Sequence, residues 1–108
     1  MFTPIYEYKT YFVNEDGEII RLIGDKKKTV KPFTHPDGTK QVSLSEQGKV
    51  KKFTVHKIVS ETFIPNPNKW KHIIHKDNNL SNNSVSNLEW SKTMQGHGKK
   101  LKLFPKIY

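Results

Sequence analysis

Over residues 6–54 short apolar runs alternate with turn signals, the pattern of a strand meander, and Val42 and Leu44 alternate with polar neighbours as a half-buried strand should. Tyr8–Val13 and residues 18–23 flank Asn14-Glu15-Asp16-Gly17, which predicts a hairpin closed by an Asp-Gly turn. Residues 39–44 and Lys49–Thr54 flank Ser45-Glu46-Gln47-Gly48 and predict a second hairpin. The stretch between them, residues 24–36, is polar and basic and reads as an exposed connection. The spacing then changes. Val55, Ile58, Val59 and Phe63 fall on one face of a helix that Thr54 can cap, and Pro65 and Pro67 forbid its continuation. Residues 70–74 read as a strand leading into His75, and 78–83, rich in Asn and Asp, as a turn-filled loop. A last short helix is expected to begin near Ser91 or Thr93. No internal repeat interrupts this order.

The elements give an α+β fold: a small N-terminal antiparallel strand module over 1–54, a helix followed by a strand–loop–helix finger over 55–98, and a basic tail over 99–108, in one compact domain. With 108 residues and 33% hydrophobic content the core has to be small. The absence of cysteine excludes disulfides and Cys-based zinc sites. No apolar run has the length of a signal peptide or a membrane span, so an intracellular protein, not secreted and without a membrane partner, is expected. The formal net charge of +9 changes the picture more, because it points to a polyanion partner. Eighteen of the 19 basic residues are Lys, with Arg21 the exception, a balance that suits phosphate contact more than base reading. Lys26, Lys27, Lys28, Lys49, Lys51, Lys52, Lys76 and Lys92 are the candidate DNA-binding residues, and a solvated face is the competing reading for each.

The segment 72–90, HIIHKDNNLSNNSVSNLEW, carries the most specific signal. His75, Asp77, Asn79, Asn82, Asn83, Asn87, Leu88 and Trp90 fall in register with the core string of the HNH homing endonucleases of phages and mobile introns, and the chain resembles that family. Upstream, VHKIVSETFIPNP is similar to the segment preceding the family's metal finger, and the two predicted hairpins are similar to its N-terminal strand module.

The resemblance implies a ββα-metal finger that hydrolyses DNA phosphodiester bonds with one divalent cation, Mg²⁺ or Mn²⁺. It also implies double-stranded DNA as partner, a phage or viral origin, His75 as general base, and Asn87 as the residue that braces the loop. Asn82 and Asn83 are expected to support the loop through backbone bonds, and Asp77 to serve either as a metal ligand or in an Asx turn. Two ligand positions depart from the family. Ile74 precedes His75 and has no oxygen to offer, and Gly96 stands at the third motif position, with His97 the favoured substitute ligand and Gln95 its competitor. His56 is expected to be structural, His72 to face away from His75 on the strand, and Trp70 and Trp90 to be core residues clamping the finger. Two rival readings stay open: a catalytically silent DNA-binding module of the same descent, and a basic structural or RNA-associated protein. A homodimer is compatible with each.

Overall fold

The computed structural model describes residues 1–93; the expected last helix, Gln95, Gly96, His97 and the basic tail lie outside the described residues. The fold is α+β. Nine short strands are grouped in three antiparallel sheets around a single α-helix among the described residues. The first sheet has the order β1 (Thr3–Ile5), β2 (Tyr8–Val13), β3 (Ile19–Ile23), β4 (Lys26–Val30). The second has the order β5 (Phe33–Thr34), β6 (Lys40–Glu46), β7 (Lys49–Thr54). Helix α1 (Val55–Phe63) follows β7 without a loop, and a two-stranded sheet of β8 (His72–His75) and β9 (Leu88–Ser91) completes the fold.

Both expected hairpins form. Asn14 builds the first turn, its Oδ1 accepting the amides of Asp16 at 3.1 Å and Glu18 at 2.8 Å. In the second, Glu46 pairs with Lys49, which leaves Gln47 and Gly48 as a two-residue turn with φ of 51° and 78°. Two positive φ values make the turn whose twist matches the flanking strands, and Gly at its second position adopts one of them without strain.

The exposed connection expected over 24–36 is not a connection. Lys26–Val30 is the edge strand β4, in full register with β3 from Ile23↔Lys26 to Ile19↔Val30, and Phe33–Thr34 is the edge strand β5. The run of lysines obscured the pattern, because an edge strand exposed along its length has no need of apolar alternation and tolerates Lys well. The usable signal was the dipeptide Gly24-Asp25, a two-residue hairpin turn with Gly24 at φ 60°.

Val13, Val42, Leu44 and Val59 are fully buried between the two sheets and α1, with Leu88 of β9 closing the cluster. Fully burying one such side chain contributes roughly 1.5–3 kcal/mol, so a few of them decide the stability of a chain this short. Tyr11 joins the sheets, its ring in the core and its hydroxyl accepting the Ser45 amide at 3.0 Å. Thr54 occupies the N-cap position in extended geometry but makes no side-chain cap bond, since it is also the last residue of β7, paired with Gln41.

Candidate functional site

The register of β8 and β9 sets two faces. His75 lies opposite Leu88 and Ile73 opposite Trp90, both pairs toward the core; Ile74 lies opposite Glu89 and His72 opposite Ser91, on the other side. His72 and His75 therefore point apart. Trp90 is anchored by its indole N–H, which donates to the Ile64 carbonyl at 3.0 Å just past the end of α1. Trp70 is not a core residue: it precedes β8 in the loop and is 38% exposed.

Between the two strands the Asn/Asp loop is folded onto itself. Asp77 Oδ1 accepts the Asn79 amide at 2.8 Å and Asn87 Nδ2 at 2.9 Å, and its Oδ2 accepts Asn82 Nδ2 at 2.9 Å. The side-chain bond from Asn82 and the amide of Asn79 hold the Asp77 carboxyl below the usual carboxylate range. Asn87 is the buried centre of the loop. Its Nδ2 also donates to the Asn82 carbonyl at 2.8 Å, and its Oδ1 accepts the Asp77 amide at 3.1 Å. Across the base of the loop the Lys76 amide donates to the Asn87 carbonyl at 2.8 Å. The loop is thus a rigid cradle whose ends are fixed beside His75.

Asn83 has a different partner from the backbone support expected of it. His75 Nε2 lies 2.9 Å from Asn83 Oδ1, with both residues buried. An amide oxygen accepts only, so Nε2 carries the proton and, in the neutral ring, Nδ1 carries the lone pair. Asn83 is held from the other side by the first hairpin. A Cβ on Gly17, at φ 85°, would meet the Asn83 carbonyl oxygen at 3.2 Å and its Cβ at 3.3 Å, so the close approach needs glycine. Next to it the Val85 amide donates to the Glu15 carbonyl at 2.8 Å. The strand module and the finger loop are joined by these contacts.

His56, in the first turn of α1, stands edge-on to His75, with ring centroids 4.9 Å apart and planes at 80°. Nothing in the sequence pairs these two residues; the helix register alone brings them together. Burial, and then the charge that His75 would carry, lower the His56 pKa from 6.5 to about 4. Folded His56 therefore binds fewer protons than the unfolded chain between those values, so stability is highest above pH 6.5 and falls as the pH drops toward 4. The loss amounts to roughly 2 kcal/mol once solvent screening at this half-buried ring is allowed for. Among the described residues His56 Nδ1 has no hydrogen-bond partner, so Phe is a tolerable replacement. His56→Phe is expected to flatten the pH dependence of urea unfolding over that range, and an unchanged slope would show that His56 is not the group that titrates.

Whether these residues could hold a cation is decided by their donors. No group of three or more His, Asp or Glu suited to a metal ion occurs among the described residues. Ile74 has no donor atom, both Asp77 oxygens accept bonds from the loop, and Glu89 lies on the face turned away from His75. The residues described do not fit a complete cation site; the favoured ligand, His97, lies outside them.

The candidate phosphate contacts are distributed over several surfaces. On β4, pairing places Lys26 and Lys28 on one face and Lys27 on the other; on β7, Lys49 and Lys51 share a face that Lys52 does not. Three of these ammonium groups lie over aromatic rings: Lys27 over Phe2 at 5.5 Å, Lys51 over Phe53 at 5.8 Å and Lys52 over Phe33 at 5.6 Å. Lys76, in the finger loop, and Lys92, just after β9, are exposed.

No protein-family model matches the chain. It is 34% identical over 97% of its length to an uncharacterized HNH endonuclease of Acanthamoeba polyphaga mimivirus, and 38% identical over 82% to a second one from the same virus. It is also 34% identical, over 74% of its length, to the DNA endonuclease I-HmuI of Bacillus phage SP01. A solved structure of I-HmuI, an HNH homing endonuclease, superposes with a TM-score of 0.75 over 84% of the chain at 31% identity. In sequence and in fold the chain is similar to HNH homing endonucleases. It spans 31% and 22% of the two mimivirus relatives, 45% of the phage enzyme and 52% of the solved I-HmuI chain. Among the described residues no helix is long and apolar enough to cross a membrane.

Proposed function

We propose that this chain cuts double-stranded DNA by hydrolysis of a phosphodiester bond, with His75 as the general base. The observation that carries the reading is the bond from His75 Nε2 to buried Asn83, which leaves Nδ1 as the basic nitrogen in a ring that cannot turn. The attacking water transfers a proton to His75 Nδ1 while its oxygen bonds to phosphorus. The bond from phosphorus to the 3′ oxygen breaks, and that oxygen takes its proton from solvent. At 1% exposure the ring is shielded in the free protein, so its surroundings have to open to the attacking water when DNA binds. Asn87, Asp77 and Asn82 hold the loop, Asn83 fixes the ring, and the lysines of β4, β7, the finger loop and position 92 supply phosphate contacts.

HNH endonucleases generally use a divalent metal, which when bound stabilises charge on the phosphate and the leaving oxygen. Mg²⁺ or Mn²⁺ is the ion proposed here. An imidazole such as that of His97 suits Mn²⁺ better, and Ile74 brings no oxygen ligand of the kind Mg²⁺ demands. Incubation of supercoiled plasmid with the full chain and each metal tests the reading. Nicked or linear product that a chelator prevents supports it. Duplex binding with intact plasmid in every metal would instead favour the silent module, for which the substitution at Ile74 is the specific observation.

A further inference from the structure

The loop that delivers β8 to His75 presents an aromatic residue with no role in the finger. Trp70 is 38% exposed, although its side chain is the kind that folding most readily buries. Its backbone, by contrast, is fixed at both polar groups. Asn66 Oδ1 accepts the Trp70 amide at 3.0 Å, and Asn66 Nδ2 donates to the Trp70 carbonyl at 2.8 Å. The Lys69 amide donates to the Asn66 carbonyl at 3.1 Å, which closes the turn and holds Lys69 at φ 55°, a conformation unfavourable for a residue with a Cβ. Pro65 and Pro67 stiffen the segment on either side of Asn66. The chain therefore maintains a strained, double-bonded turn whose product is an exposed indole flanked in sequence by two exposed lysines, Lys69 and Lys71.

From this geometry we infer that Trp70 is a DNA-contact residue, its indole lying on the flat apolar face of a nucleotide while Lys69 and Lys71 take the flanking phosphates. The inference rests on the DNA reading above and adds a contact to it. Indole suits that partner because the sugars of a duplex, and a base face where a step is unstacked, offer a flat apolar surface, and cations on either side suit a phosphate backbone. The clamp holds the ring in place before binding, so less entropy is lost on contact. Position adds to the case. Five residues of extended chain separate Trp70 from His75, about 16 Å. At roughly 3.4 Å per base pair, the contact falls within about five base pairs of the phosphate under attack.

The full-length chain, titrated with a short duplex in the presence of chelator, tests this without any demand on cleavage. The chain has two tryptophans, and Trp90 is tied by its indole N–H to Ile64, so an emission change on binding is expected to come from Trp70 and to be absent in Trp70→Phe. Trp70→Ala is expected to weaken binding about 5- to 150-fold with an unchanged salt slope, the range for loss of one aromatic–nucleotide stack. Lys69→Ala is expected to reduce the slope by about one instead. The clamp is made by Trp70 backbone groups, so the variant keeps its fold, which circular dichroism checks. A duplex with one mismatched step separates the two surfaces: tighter binding that needs Trp70 assigns a base, and equal binding assigns a sugar. Wild-type binding with unchanged Trp70 emission and a Trp70→Ala affinity equal to wild type overturns the inference alone. No duplex binding by the wild type overturns the DNA reading beneath it.

Discussion

His75→Ala is expected to lower the rate of DNA cleavage by about 10²–10⁴, the range for loss of one general base, while leaving duplex affinity near that of wild type. The separation between rate and affinity follows from where His75 sits. It is buried among His56, Asn83 and the core face of the finger hairpin, and none of the lysines proposed to contact phosphate depends on it. Truncation of a buried ring also leaves a cavity and an unpaired Asn83 oxygen, so some stability is lost, and assays belong well below the melting range. His75→Gln is the companion variant, since it fills more of the space without an imidazole. A base is identified by both variants losing cleavage while both bind duplex. Cleavage at the wild-type rate in either purified variant would remove His75 from the reaction.

Duplex affinity is expected to fall by about three orders of magnitude between 50 and 200 mM salt. Six lysine–phosphate contacts give a log–log slope of roughly −5, because each contact releases condensed counterions. Six of the eight lysines proposed allows for Lys26 and Lys28 facing one way on β4 and Lys27 the other. Lys27, Lys51 and Lys52, already held over aromatic rings, have less rotamer freedom to lose than free surface lysines. Little dependence on DNA sequence should accompany the steep slope, since phosphate contacts carry no base information. Fluorescence anisotropy over a salt series measures both properties. A flat response would mean that the charge of +9 is solvated surface and that the grip on DNA, if any, is made elsewhere.

The extent to which the chain could be read before folding varies with the kind of signal. β2 and β7 were legible to the residue, because short runs bounded by Asp-Gly or Gln-Gly turns leave few alternatives. β4 was not, because lysine content outweighed the Gly24-Asp25 turn, and an edge strand need not alternate. Helix α1 was legible from its apolar face and His56 was read as structural, but its contact with His75 is set by packing between segments, to which periodicity is blind. In the finger loop, residue types and spacing indicated a braced turn. They did not indicate that Asn83 turns inward to His75 while its neighbour Asn82 turns to Asp77, since the identical side chains are separated only by backbone direction. Trp70 was misread as core because hydrophobicity alone does not disclose the clamp that Asn66 places on its backbone.

The central claim is that His75 is held with its proton on Nε2 so that Nδ1 acts as the base, and a long-range ¹H–¹⁵N correlation spectrum of the histidine-labelled chain addresses it directly. Assignment of the five histidines by substitution isolates the His75 ring. At a pH where that ring is neutral, the expected result is the Nε2–H tautomer in the wild type and a mixture of tautomers in Asn83→Ala, where the acceptor is gone. A wild-type His75 carrying its proton on Nδ1 would contradict the account, since the nitrogen assigned to activate water would then have no lone pair to do so.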